Sequence, residues 1–136
     1  MLQEGQWDRK SFIGTELNGK TLGIVGCGRI GQLVGHFGKG LGMRVIGYDQ
    51  IAAAAADGKG AIEYKPSLND IWASSDFISV HTPLTPETTG LLNDEAIAKC
   101  KKGVHLINCA RGGIIDESAL LRALDSGHVA GAALDV

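Results

Sequence analysis

Residues 21–31 read Thr-Leu-Gly-Ile-Val-Gly-Cys-Gly-Arg-Ile-Gly, and no other stretch limits the possible folds so sharply. Leu22, Ile24 and Val25 form a short apolar run with the character of a buried strand. Gly26, Gly28 and Gly31 follow at G-x-G-x-x-G spacing. In a dinucleotide turn the first glycine allows the tight bend, the second lets backbone approach a pyrophosphate, and the third lets the next helix pack on the sheet. The N–H groups that open that helix then face the phosphates. In a chain with 20 glycines the spacing alone carries little weight. Its context supplies the rest: a strand before it, a helical stretch after it, and a second apolar run, Arg44 to Tyr48, ending in Asp49, 18 residues beyond Gly31. A carboxylate at about that distance accepts hydrogen bonds from the adenosine ribose and repels a 2′-phosphate, so NAD is expected over NADP.

At 136 residues the chain can hold one domain with its own core, and not two. Hydrophobic residues make up 44% and charged residues 21%, which fits a globular protein in water. A net charge of −2 with scattered Lys and Arg argues against nucleic acid as a partner. The Lys99-Cys-Lys-Lys102 cluster reads as a solvated helix end, where cations are favourable. No signal peptide and no 18-residue apolar run is present, so no membrane partner and a cytoplasmic location are expected. Cys27, Cys100 and Cys109 are odd in number and share no C-x-x-C, which points to reduced thiols and no metal site.

Residues 1–15, with Trp7 and Phe12 as apolar anchors, read as a connecting arm, and residues 16–136 as the cofactor domain. Strands are expected at 21–25, 44–48, 61–64, 77–80, 104–109 and 129–134. Between them come a helix from Gly28 to about Leu41 and helices capped by Ser67, Asn93 and Asp116. Leu33, Val34 and Phe37 mark the apolar face of the first helix. Gly35, Gly38 and Gly40 weaken that helix by roughly 0.8–1 kcal/mol each against Ala. The run Ala52 to Ala56 has the propensity of a short helix. This alternation predicts an α/β, Rossmann-type doubly wound parallel sheet with strand order 3-2-1-4-5-6. Gly26–Gly31, Asp49, His81–Pro83, Cys109–Arg111 and Asp135 then all fall at the carboxyl ends of strands, where ligands bind.

Arg111, in a loop continued by Gly112 and Gly113, suits a bidentate grip on a substrate carboxylate. Hydride transfer to a carbonyl also needs a proton donor. Of four histidines, His36, His105 and His128 fall away from the expected cleft. His81 lies at the correct end and reads as a group shaping the adenosine side. Asp76 and Asp94 read as local turn or capping groups, and no paired carboxylates suggest glycosidase chemistry.

These stretches resemble the nucleotide-binding domain of the D-isomer-specific 2-hydroxyacid dehydrogenases. The likeness rests on residues 12–31, Gly47-Tyr-Asp49, His81-Thr-Pro-Leu84, Thr88-Thr-Gly-Leu-Leu-Asn93, Asn108-Cys-Ala-Arg-Gly-Gly113 and Ala130 to Val136, which together span nearly the whole chain. The resemblance implies that Gly26, Gly28, Gly31 and the backbone of Arg29 and Ile30 meet the pyrophosphate. It places Asp49 and Tyr48 at the adenosine ribose, Thr82 and Pro83 along the adenine, and Thr88 near the phosphates. Cys109 and Ala110 would put backbone against the nicotinamide ribose, and Asp135 would hold the carboxamide. Arg111 would orient the substrate. The implied parent is an NAD-dependent, homo-oligomeric oxidoreductase acting on a phosphorylated 2-hydroxy acid. Its acid/base histidine, the glutamate that tunes it, and the substrate-binding domain are all expected outside these residues. The chain itself is then expected to be monomeric and inactive. The alternatives are the cofactor domain of another D-2-hydroxyacid dehydrogenase, that of a related NAD-sensing transcriptional corepressor, and a stand-alone NAD-binding module.

Overall fold

The computed structural model describes residues 11, 13–51 and 60–136. Trp7, Phe12 and most of the expected arm, together with Ala52–Ala56, lie outside the described residues. The described elements run β1 (Thr21–Val25), α1 (Arg29–Gly40), β2 (Arg44–Tyr48), β3 (Glu63–Tyr64), α2 (Leu68–Ser74), β4 (Phe77–Val80), α3 (Asp94–Lys99), β5 (Val104–Asn108), α4 (Glu117–Asp125) and β6 (Val129–Leu134). All six strands join one sheet in the order β3-β2-β1-β4-β5-β6, and every described pairing is parallel. The order reverses between β1 and its neighbours β2 and β4, so the crevice for a ligand opens beyond the carboxyl end of β1.

A parallel sheet must bury both faces, and the strand sequences show how. Leu22, Ile24 and Val45 point to one face, in a cluster with Cys27 and Met43. Val25, Ile46, Ile78, Val80 and Leu106 point to the other, with α2, α3 and α4 supplying Ile71, Trp72, Ile97, Leu120 and Ala123. Gly23 in β1 is needed for the second packing, since a Cβ there would sit 2.1 Å from Ser75 Oγ and 2.8 Å from Ile71 Cγ2.

Helix α1 corrects the expected apolar face. Its buried residues are Gly31, Gly35 and Gly38. A Cβ on Gly35 would approach Ile62 Cγ1 to 2.8 Å and Ile24 Cδ1 to 3.2 Å, and one on Gly38 would approach Leu22 Cδ2 to 2.7 Å. Leu33 and Phe37, by contrast, are 56% and 64% exposed. The glycines are the packing face, and they bring the helix close enough for strand side chains to fill the gap. Val34 alone of the three expected residues packs against the sheet cluster.

The other helices begin as their caps predict. Ser67 Oγ accepts from the Asp70 N–H at 3.4 Å, Asn93 Oδ1 from Ala96 at 3.0 Å, and Asp116 Oδ1 from Ser118 at 2.9 Å and Ala119 at 3.1 Å. Strand β3 is shorter than expected, and β5 ends one residue early, at Asn108. Two acids reach beyond local roles. Asp76 Oδ2 accepts from the Thr21 N–H at 2.9 Å while its Oδ1 pairs with Lys101 at 2.7 Å, which ties together the amino ends of β1, β4 and β5. Asp94 takes both Nε (3.2 Å) and Nη2 (2.7 Å) of Arg122, linking α3 to α4. His128 Nε2 lies 2.9 and 3.0 Å from the Ile97 and Cys100 carbonyls, where its N–H serves the last turn of α3.

Candidate functional site

The glycine loop is built as its spacing requires. Gly26 has φ +93°, a conformation L side chains rarely adopt, and a Cβ there would lie 2.6 Å from the His81 carbonyl oxygen. Gly31 is closed in from the other side, since its Cβ would meet Gly26 O at 2.1 Å. Around Gly28 there is nothing within 4 Å of a Cβ position, so the middle of the loop is open to an incoming group. Helix α1 also has no side-chain cap at Gly28 and no acid in its first turn. Its leading N–H groups, on Arg29, Ile30 and Gly31, therefore suit a phosphate.

Asp49 follows β2 and is bound into the same loop. Its Oδ2 accepts the Cys27 N–H at 2.8 Å and its Oδ1 the Ile51 N–H at 2.9 Å. Each oxygen keeps a lone pair for a ribose hydroxyl. Cys27 closes the back of the loop. Its sulfur fills the space over Gly47, where a Cβ would stand 2.7 Å away. Burial, followed by the Asp49 charge, pushes its thiol up to about 12, which makes it a packing group.

A cavity of about 270 Å³ opens beside these groups. It brings together Gly26, Gly28, Tyr48, Asp49, His81, Thr82, Pro83 and Thr88, with Gln50, Leu68, Thr85, Glu87 and Leu91 among the further lining residues. His81 Nε2 shares a 2.8 Å hydrogen bond with Ser79 Oγ, and burial holds the imidazole below its ordinary value. The ring is thus held at this wall by Ser79 and favoured in its neutral form. Thr88 Oγ1 donates to the Pro83 carbonyl at 2.6 Å and accepts the Thr85 N–H at 2.7 Å, so it shapes the loop from inside.

The remaining expected residues lie outside that cavity. Arg29 and Ile30 are exposed at the start of α1. Cys109, Arg111 and Asp135 are exposed beyond β5 and β6, with Ala110 partly so. Arg111 Nη1 donates to the Ala110 carbonyl at 2.6 Å. The Asp135 N–H donates to the Asn108 carbonyl at 3.0 Å, which holds the end of β6 against that of β5. One half of the crevice is thus a formed cavity and the other an open ledge carrying Arg111 and Asp135. Sequence reasoning missed Ser79, Leu68 and Leu91 as site-shaping groups, and Asn108, whose 2% exposure is unusual for a polar side chain. Asn108 alone had a visible signal, a polar residue ending an apolar strand.

The model of the family described as D-isomer specific 2-hydroxyacid dehydrogenase, NAD binding domain, matches residues 1–136. D-3-phosphoglycerate dehydrogenase of Pongo abelii is 59% identical over 135 residues, which is 99% of this chain and 25% of that protein. The protein of the same name from Homo sapiens is 58% identical over the same shares, and that of Bacillus subtilis (strain 168) is 55% identical over 131 residues, 96% of this chain and 25% of that protein. Among solved structures, the pyruvate reductase of Chlamydomonas reinhardtii superposes with a TM-score of 0.91 at 41% identity, covering 99% of this chain and 39% of that one. A D-lactate dehydrogenase from Aquifex aeolicus, complexed with NAD and lactic acid, gives 0.88 at 40% identity, covering 99% and 40%. The chain spans about a quarter of the length of the curated relatives it matches.

Proposed function

The chain belongs to the D-isomer specific 2-hydroxyacid dehydrogenase family as its NAD-binding domain, and on that premise we propose that it serves an enzyme that oxidises D-3-phosphoglycerate to 3-phosphohydroxypyruvate with NAD, a reaction that feeds serine synthesis. The observation that carries the reading is the divided crevice: a formed, half-open cavity suited to adenosine, ending at Asp49, and an exposed ledge suited to nicotinamide and substrate, ending at Arg111 and Asp135. The substrate rests on relatives named for it at 52–59% identity, above the 41% and 40% of the pyruvate reductase and D-lactate dehydrogenase structures.

When bound, NAD supplies the hydride acceptor. Residues of this chain do the rest of the holding. The N–H groups of Arg29 and Ile30 meet the pyrophosphate and Gly28 leaves room for it. Asp49, with Tyr48 beside it, takes the ribose hydroxyls, and Thr82 and Pro83 flank the adenine. Thr88 lies near the phosphates and, through its bonds to Pro83 and Thr85, keeps its loop in shape. Backbone at Cys109 and Ala110 lines the second ribose, and Asp135 accepts from the carboxamide. Arg111 grips the substrate carboxylate through its planar fork and stabilises charge at the reacting carbon. It stays protonated and cannot take the hydroxyl proton. His81 is committed to Ser79 at the adenosine wall. The family resemblance implies that the base comes from another part of the longer enzyme, so residues 1–136 alone are expected to turn over no substrate. Residues 16–136 form the cofactor domain and 1–15 the arm joining it to the rest of a cytoplasmic homo-oligomer.

NADH production from D-3-phosphoglycerate, D-lactate and D-glycerate by the longer enzyme tests this. D-3-phosphoglycerate should be preferred, and Arg111→Ala should cut kcat/KM by at least about 10²-fold, with Arg111→Lys recovering only part. Near-normal efficiency of Arg111→Ala, or turnover by residues 1–136 alone, contradicts the assignment.

A further inference from the structure

We propose that Asn108 is a positioning residue that sets the Cys109–Arg111 turn, and with it the Cys109 and Ala110 backbone that lines the nicotinamide ribose. The proposal rests on the reading that this turn carries nicotinamide and substrate contacts. Asn108 is the last residue of β5, and its side chain is turned inward, 2% exposed. Its Oδ1 accepts the Ala110 N–H at 3.0 Å and its Nδ2 donates to the Arg111 carbonyl at 2.9 Å. The two partners fix which end of the amide is which, because an N–H needs an acceptor and a carbonyl a donor. One side chain therefore pins the peptide groups on both sides of the Ala110–Arg111 unit. The carbonyl of that middle unit in turn receives Arg111 Nη1 at 2.6 Å.

The far side of the turn is anchored at Gly113 and Ile114, whose carbonyls accept the Gly90 and Leu92 N–H groups at 2.7 and 3.2 Å, which leaves the Asn108 amide to hold Ala110 and Arg111 themselves. Gly112 and Gly113 follow the turn, Gly113 at φ +86°, and glycine backbone imposes the least of its own. The Asp135 N–H reaches the main-chain carbonyl of Asn108, so any residue at 108 keeps that tie between β5 and β6. What only Asn supplies is a donor and an acceptor on one short planar group. Alanine or leucine would leave two backbone groups unpaired. Aspartate keeps the shape and the acceptor, and recovers the donor only when protonated.

That last property makes the test. NADH affinity of the 136-residue chain is measured at about pH 8 and about pH 5.5 for Asn108→Asp and Asn108→Ala, each referred to wild type at the same pH so that titration of His81 cancels. Burial against a carbonyl raises the pKa of the introduced carboxyl, which places its protonation within reach of the lower pH. Asn108→Asp should bind about tenfold more weakly at the higher pH and within about threefold of wild type at the lower, while Asn108→Ala stays weak at both. A role in packing alone would show no recovery with pH, and that result overturns the proposal, as does wild-type affinity in both variants. Amide exchange at Ala110 is read alongside: protection in the wild type that disappears in Asn108→Ala supports the clamp, and unchanged protection overturns it. If the wild type binds no NADH, the cofactor reading fails, and the exchange result still decides the clamp.

Discussion

At the scale of the residue, Asp49 joins two roles that the sequence suggests separately. As the acid after β2 it was legible from its distance to Gly31. Its bonds to Cys27 and Ile51 were not, because they depend on how the glycine loop folds back over the end of β2. Asp49→Ala should lower NAD affinity by roughly 1.5–3 kcal/mol, the scale of hydrogen bonds to a charged group, and NADP affinity much less. Calorimetric titration with both cofactors checks this, and equal losses would show that Asp49 acts through the loop alone. His81 makes a prediction in pH. Its folded value is depressed by burial, so between about pH 6.5 and that lower value the unfolded chain binds more protons. The contribution of neutral His81 to stability is complete above about pH 6.5 and is lost as pH falls toward the folded value. Melting temperatures taken from about pH 7.5 down to about pH 5.5 should fall more steeply in the wild type than in His81→Gln. Parallel slopes would remove His81 from the pH response. Asn108 was not legible as a clamp because its two partners are backbone groups that converge only once the turn has formed.

At the scale of the element, strand positions and helix caps were legible because each depends on a few neighbouring residues. The face of α1 was not. Apolar periodicity assumes that a helix buries its large side chains, whereas α1 buries glycines against Leu22, Ile24, Val45 and Ile62. Three substitutions separate the two pictures. Gly31→Ala should destabilise the chain by several kcal/mol, on the order of 3, because its methyl would overlap the Gly26 carbonyl oxygen. Gly40→Ala meets nothing within 4 Å and should be neutral or stabilising by up to about 1 kcal/mol. Phe37→Lys, at a position already 64% exposed, should shift stability by no more than about 0.5 kcal/mol. Urea unfolding measures all three, and a large loss from Phe37→Lys would restore the apolar face expected from the sequence.

At the scale of the whole molecule, the strand order was legible because right-handed crossovers and a single reversal leave few ways to arrange six alternating units. The unequal halves of the crevice were not, since closure depends on which side chains line the space beyond each strand. Along β2 and β4 they make a cavity, and along β5 and β6 they make an exposed ledge. No helix of the described residues is long and apolar enough to cross a membrane. Residues 1–136 are expected to hold NAD without help, chiefly by its adenosine half and more weakly along the Cys109–Ala110 backbone. Calorimetric titration of this chain with NAD and with NADP measures this. NAD binding should be saturable, and weak because nothing in these residues closes over the nicotinamide, with NADP weaker still. A folded chain that gives no binding heat with millimolar NAD, or that binds both cofactors equally, would contradict this expectation.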